Sequence, residues 1–407
     1  MRVLQINGFY PDGSTGKIVQ NISNLLEEEG ENSFVAFGSS NKKKIDSKKC
    51  LRMKTGLGLY ISIIQTRLGG RNGFNDRRAT YRLIQWIEQV NPNVIHLHNI
   101  HGFYINIEIL FSYLKAVKLP VIWTLHDCWS ITGHCACFDY VGCDKWKNGC
   151  NSCEQLKYYP ISFCDKSKEN YWNKKEIFTS LEEENLKIVV PSQWLGNIIK
   201  QSFLNKYEIR QIYNGVDLNL FKPTLNNIRN QYGLDGKKII LTVVYGYNER
   251  KGLLDLNLLA DLLDTNYQII VVGVEKKAKK KFNPKILVLE KTKTQYELAQ
   301  FYSVADVYVN LTLEEVMGMT NIEALACGTP VVTYSSGGSP ECVDDKTGKV
   351  VERRNIHRMK EEIEKILSKP KTFYSVQCRL RAEEYFDNKK MAQHYLRLYE
   401  EMLTKTI

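Results

Sequence analysis

Glu314–Pro330 reads EEVMGMTNIEALACGTP, a loop, a helix and a stop in one short passage. Gly318 loosens the loop, the run Ala324, Leu325, Ala326 favours helix, and Gly328 and Pro330 end it. A helix beginning near Met319 places Glu323 on its first turn and Glu315 on the loop before it. The first N–H groups of a helix have no partner inside the helix, and they lie at the positive end of its dipole. That tip suits an anion such as a diphosphate, while the two carboxylates could accept hydrogen bonds from sugar hydroxyls. Acids beside a helix start also serve as plain dipole partners, and for a lone pair of glutamates that account is the stronger one.

The length of 407 residues leaves room for two domains, each with its own core. A hydrophobic fraction of 43% and a charged fraction of 25% are those of an ordinary globular protein. The opening MRVLQIN is too short and too polar for a secretory signal, and no run approaches the ~18 apolar residues of a membrane span. A cytoplasmic protein is expected, with its 11 cysteines reduced or bound to metal. The net charge of +11 fits nucleic acid, an anionic membrane surface or an anionic donor. No nucleic-acid motif accompanies it. A solvated basic surface is the default reading and a membrane surface the leading functional one.

The rest of the chain alternates short apolar runs with helical patterns, which predicts a doubly wound α/β architecture. Val3–Ile6 leads through Gly13, Ser14, Thr15 and Gly16 into a helix marked by Ile18, Ile22, Leu25 and Leu26. Such a glycine turn lets backbone approach a phosphate or sugar closely, although the spacing is not that of a dinucleotide site. Lys42–Lys49 is basic. Arg67, Arg71, Arg77, Arg78 and Arg82 then accompany Leu59, Ile63, Ile64 and Leu68, predicting one or two helices with an apolar and a cationic face. Those cations are either solvated or set against anionic headgroups. Val94–His98 and Val121–Leu125 read as strands of βαβ units, the second ending in His126 and Asp127. Ligands gather at such strand ends. A lone histidine there is more often structural.

A carboxylate, seven residues, a second carboxylate and then EALACGTPVV together resemble the signature of retaining GT-B glycosyltransferases of family 4. The resemblance runs over most of the chain. It implies two Rossmann-like domains facing across a cleft: 1–188 on the acceptor side, 189–384 for the nucleotide sugar, and a helix over 385–407 returning to the first. It implies that Glu315 contacts the donor sugar, that the backbone at Met319, Thr320 and Asn321 holds the diphosphate, and that Glu323 binds the ribose. TLHD matches the family position whose histidine, here His126, bonds the donor sugar, with Asp127 orienting it or meeting the acceptor. Gly13 and Gly16 match the loop over the diphosphate. Lys251, before Gly252, matches a lysine that meets the leaving diphosphate. The companion arginine position appears as Gly246, with Arg250 the candidate substitute. Asn214, Gly215 and Asp217 match an NGxD passage, and Ser336–Glu341 another loop near the donor.

GHCACFDYVGCDKWKNGCNSC carries five cysteines, a metal-ligand density for a cytoplasmic protein. Cys135, Cys143, Cys150 and Cys153 are the candidate zinc ligands, with His134 and Cys137 as spares; unligated thiols in a packed loop are the alternative. Similar insertions occur in capsule and exopolysaccharide members of the family. The expected activity is retaining transfer of a sugar from a nucleotide-diphosphate donor to a hydroxyl of a lipid-linked glycan. It needs no catalytic cofactor, uses zinc only for structure, and takes place in the cytoplasm or peripherally on the inner membrane face. A non-catalytic nucleotide-sugar-binding subunit, an epimerase and a phosphorylase are the competing readings.

Overall fold

The structure, a computed structural model, describes residues 1–40, 45, 48–245 and 249–404. The chain divides into two compact units, Met1–Tyr213 with Met391–Ile407, and Asn214–Lys390. Each is built on a wholly parallel sheet. Strands covered by helices on both faces must be apolar on both sides, and the continuous runs of the sequence meet that condition.

The first sheet contains β1 (Arg2–Phe9), β2 (Asn32–Ser39), β3 (Cys50–Arg52), β4 (Val94–Leu97), β5 (Val121–Thr124), β6 (Leu186–Val190) and β7 (Glu208–Gln211), in the order β3-β2-β1-β4-β5-β6-β7. The second contains β8 (Lys238–Val243), β9 (Tyr267–Val272), β10 (Leu287–Leu289), β11 (Val307–Asn310), β12 (Val331–Tyr334) and β13 (Gly348–Val351), in the order β10-β9-β8-β11-β12-β13. The strand order reverses between β1 and β4 in one sheet and between β8 and β11 in the other. Crevices at such reversals are where open α/β sheets hold ligands.

The boundary expected after residue 188 falls inside β6 and is corrected. The first unit keeps β6, the helix Gln193–Lys200 capped by the Ser192 hydroxyl, and β7, and it ends at Tyr213. At the start of the second unit Gly215 approaches Asn388 so closely that a β-carbon would strike the Asn388 backbone, and Val216 forms a bridge with Asp387. From Met391 onward the last helix belongs to the first unit, where Met391, Tyr395, Leu398, Tyr399 and Met402 pack with Val3, Ile18, Ile22 and Leu26. Most of the basic run Lys42–Lys49 lies outside the described residues, as do Gly246 and Asn248. Lys49 itself pairs with Glu27 at 3.2 Å.

Candidate active site

In the second unit the chemistry expected from sequence assembles at the reversal between β8 and β11. The chain leaving β8 makes a turn at Glu249–Lys251, and the chain leaving β11 passes Leu311–Leu313 on its way to Glu315. The two passages are stitched by backbone. Leu313 N–H donates to Arg250 O at 2.7 Å, and Gly252 has φ +70 with no room for a β-carbon beside Leu311 O. Only glycine suits that backbone angle and that approach. The stitching places the Lys251 ammonium 3.0 Å from Glu315 Oε2. Gly337 fixes the other side: a β-carbon there would meet the Glu315 carbonyl, which accepts from Gly338 N–H at 3.2 Å.

Arg250 donates to Glu314 Oε2 at 2.7 Å, and both side chains are largely buried. Its charge is therefore partly cancelled by Glu314, which leaves Lys251 as the more available cation of the two. Glu323 projects from the helix Met319–Ala326 and accepts from the Tyr302 hydroxyl at 2.8 Å. Burial and then the adjacent Glu323 carboxylate hold the Tyr302 hydroxyl well above its usual pKa, so it stays a donor.

The tip of that helix is less open than the sequence implied. Met319 N–H donates to Met317 O at 2.8 Å and Asn321 N–H to Gly318 O at 3.0 Å. Of the three amides, Thr320 alone has no backbone acceptor among the described residues. The Asn321 side chain is fully buried, accepts from Asn310 Nδ2 at 2.9 Å and donates to Ser339 Oγ at 2.8 Å. Asn321 thus braces the loop from within.

In the first unit, His126 and Asp127 follow β5, beside the end of β4. His98 Nδ1 lies 3.1 Å from His126 Nε2, and His98 Nε2 lies 3.2 Å from Gln5 Oε1 on β1. His101 Nε2 lies 2.7 Å from Asp127 Oδ2, and its Nδ1 lies 2.9 Å from the Tyr159 hydroxyl. Asp127 Oδ1 accepts from Trp129 N–H at 2.8 Å. His98, His101, His126, Asp127 and Trp129 line a small cleft over the strand ends. Burial lowers the His126 pKa to about 4, against a pull upward from Asp127, and burial drives His98 well below its usual range. Both are neutral imidazoles at pH 7, able to give or accept one hydrogen bond per nitrogen. Burial raises the Asp127 pKa, but His101 and the Trp129 amide outweigh it and the group is held below its usual value.

Gly13 opens the helix Gly13–Glu28 with φ +77 and open space around its missing β-carbon. Gly16 is buried, and a β-carbon there would sit 3.0 Å from Phe9 O and from the carbonyl carbon of Pro11. This close approach seats the helix on the end of β1. Cys135, Cys143, Cys150 and Cys153 line one recess with His134, while Cys137 lies outside that lining. No three His, Cys, Asp or Glu side chains among the described residues grip a common point as they stand. No described cysteine is in a disulfide.

His98, His101, Tyr159, Glu314 and Tyr302 were not singled out from sequence. The run HNIHGF directly after β4 carries the signal for the two histidines. The other three are identified only by contacts across long stretches of chain.

A family profile described as "Glycosyltransferase Family 4" matches residues 16–220, and one described as "Glycosyl transferases group 1" matches residues 225–383. The putative colanic acid biosynthesis glycosyl transferase WcaC of Escherichia coli (strain K12) is 23% identical, over 99% of this chain and 100% of that protein. Among solved structures, sucrose-phosphate synthase from Thermosynechococcus elongatus superposes with a TM-score of 0.72 at 17% identity, covering 100% of both chains. Anabaena HepE in complex with UDP superposes with a TM-score of 0.68 at 14% identity, over 98% of this chain and 100% of that one.

Proposed function

The chain belongs to glycosyltransferase family 4, and from that membership we propose that it moves a sugar from a nucleotide-diphosphate donor to a hydroxyl of a lipid-linked glycan, with retention at the anomeric carbon. The observation carrying this reading is the Lys251–Glu315 pair, 3.0 Å apart at the reversal of the second sheet and on the loop that leads into the 319–326 helix. Glu315 accepts from donor-sugar hydroxyls, Glu323 from the ribose, and Lys251 with the Thr320 amide meets the diphosphate. When the bond from the anomeric carbon to the phosphate oxygen breaks, negative charge grows on that phosphate. A fixed ammonium lowers this barrier directly. The acceptor oxygen forms the new bond on the same face, and its proton passes to the departing diphosphate. His126 and Asp127 serve the sugar and the acceptor. A role in surface polysaccharide synthesis is supported by the end-to-end similarity to WcaC, and a nucleotide-sugar donor by the structural likeness to HepE, which was solved with UDP and with UDP-glucose. The test is to supply nucleotide sugars with and without a lipid-linked glycan and to measure free nucleoside diphosphate and product anomeric configuration. Release that requires acceptor, with retention, is expected. Binding without turnover would mark a non-catalytic subunit, and release independent of acceptor would remove the transferase reading.

We also propose that the first unit rests on an anionic membrane surface through the helix Gly56–Gly69. No helix among the described residues is long and apolar enough to cross a membrane. This helix is inverted relative to a soluble one: Ser62 and Thr66 are buried, while Leu57 is 79% and Leu68 is 61% exposed, with Tyr60, Ile61 and Ile64 also facing outward. Ser62 is held at Asp76 and Thr66 by Asn75 Nδ2 at 3.0 Å, which fixes the polar side inward. Arg67, Arg77 and Arg78 are exposed on the same stretch, and Phe163, also exposed, donates its N–H to Arg67 O at 2.8 Å. Apolar side chains flanked by arginines suit the boundary between acyl chains and anionic headgroups, at about 1 kcal/mol for each well-placed cation. Flotation with phosphatidylglycerol vesicles is expected, weakening as salt rises. A Leu57→Ser/Ile61→Ser/Ile64→Ser variant should stay in the pellet fraction. Equal flotation of the variant, or none by the parent chain, would defeat the assignment.

A further inference from the structure

From Thr132 to Lys166 the described chain forms no strand and no α-helix, only a single 3-10 turn at Lys145–Lys147. Segments of that length without regular structure are uncommon in compact domains, and small irregular ones usually need a cross-link. This one is nonetheless packed. Trp146 and Phe138 are buried and stack with their ring centres 5.0 Å apart, and a β-carbon on Gly133 would strike Ser167 O and Cys150 Cβ. Gln155 Nε2 donates to Cys137 O at 2.8 Å, and Cys153 N–H donates to Asp165 Oδ2 at 2.8 Å.

Cys135, Cys143, Cys150 and Cys153 line one small recess. Two neighbouring side chains add to the case for a ligand there. The first is His134: its side chain is buried against the same recess, and its Nε2 has no hydrogen-bond partner. An orphaned buried nitrogen is costly unless something absent satisfies it. The second is Lys174, 1% exposed, whose ammonium donates to Trp129 O at 2.7 Å and Thr132 O at 3.0 Å. No carboxylate forms an ion pair with it among the described residues, and the acidic groups that act on it are the thiols of Cys150 and Cys135 and the Asp127 carboxylate. Negative charge gathered in the recess would favour its ammonium form.

We infer that Cys135, Cys143, Cys150 and Cys153 bind one zinc ion as four thiolates, a structural site that pins the Thr132–Lys166 segment. Binding releases four protons, one from each thiol, and leaves a centre of net charge −2. Lys174 from within and Lys145 on the recess wall oppose that charge, and His134 Nε2–H gains a thiolate to donate to. The four sulfurs do not converge on one point as they stand, so binding requires their side chains to move until each reaches the zinc–sulfur distance of about 2.3 Å. The same segment carries Tyr159 to His101, so the ion also steadies the cleft beside Asp127.

Full-length protein purified without chelator or added metal should hold about one zinc per chain, with X-ray absorption giving four sulfur neighbours near 2.3 Å. Cys143→Ser and Cys150→Ser should lose most of that zinc, whereas Cys137→Ser should keep it. Should the serine variants fail to fold, a mercurial titration of the parent chain should release one zinc as the fourth of these thiols is modified. Zinc below about a tenth of an equivalent that is not restored by zinc after reduction, full zinc in both variants, or Cys135 and Cys153 found in disulfides would each overturn the site.

Discussion

Lys251→Ala is expected to lower turnover by about 100- to 1,000-fold while the protein stays folded. The Lys251 side chain is 37% exposed and its partner Glu315 24% exposed, so the pair contributes little to folding, about 0–1 kcal/mol. The position of Lys251 is set by the backbone stitching at Arg250–Leu313 and by Gly252, none of which the substitution touches. What is lost is a fixed positive charge where a departing diphosphate becomes more negative, and its absence also leaves Glu315 facing those phosphates uncompensated. The checks are turnover at saturating donor and the thermal unfolding midpoint. Unchanged turnover would remove Lys251 from the reaction. A collapse of the midpoint would show that the pair is mainly structural.

Glu323→Ala should act differently, raising the donor KM by about 10- to 100-fold with little change in kcat. Charge-assisted hydrogen bonds are worth roughly 1.5–3 kcal/mol, and a ribose contact is present before and during bond cleavage alike, so its loss appears as binding. Tyr302→Phe should give the same pattern at a few-fold, because it removes only the 2.8 Å bond that aims the Glu323 carboxylate. Steady-state kinetics on both variants decides this. A fall in kcat with unchanged KM would place Glu323 in the bond-breaking step and contradict a ribose role.

Much of the fold was legible because strands buried on both faces leave continuous apolar runs, as at Ile239–Val243 and Ile269–Val272. The unit boundary was misjudged because β7 is an edge strand of sequence EIRQ, mostly exposed, which resembles a polar loop. The two carboxylates and Lys251 were legible from local motifs. The meeting of Lys251 with Glu315 was not, since it depends on β8 lying beside β11, a matter of strand order. The same holds for His98, which reaches His126 because β4 and β5 are neighbours. The cancellation of Arg250 by Glu314 and the internal use of the Met319 and Asn321 amides arise from contacts that no spacing rule encodes.

The proposed transfer requires the phosphates of a donor to lie in the second unit at the start of the 319–326 helix. A crystal soaked with a nucleoside diphosphate should show them within hydrogen-bonding reach of Lys251 Nζ and the Thr320 amide, with the ribose at Glu323. Phosphate density at any other place, with the start of the 319–326 helix vacant, would contradict it.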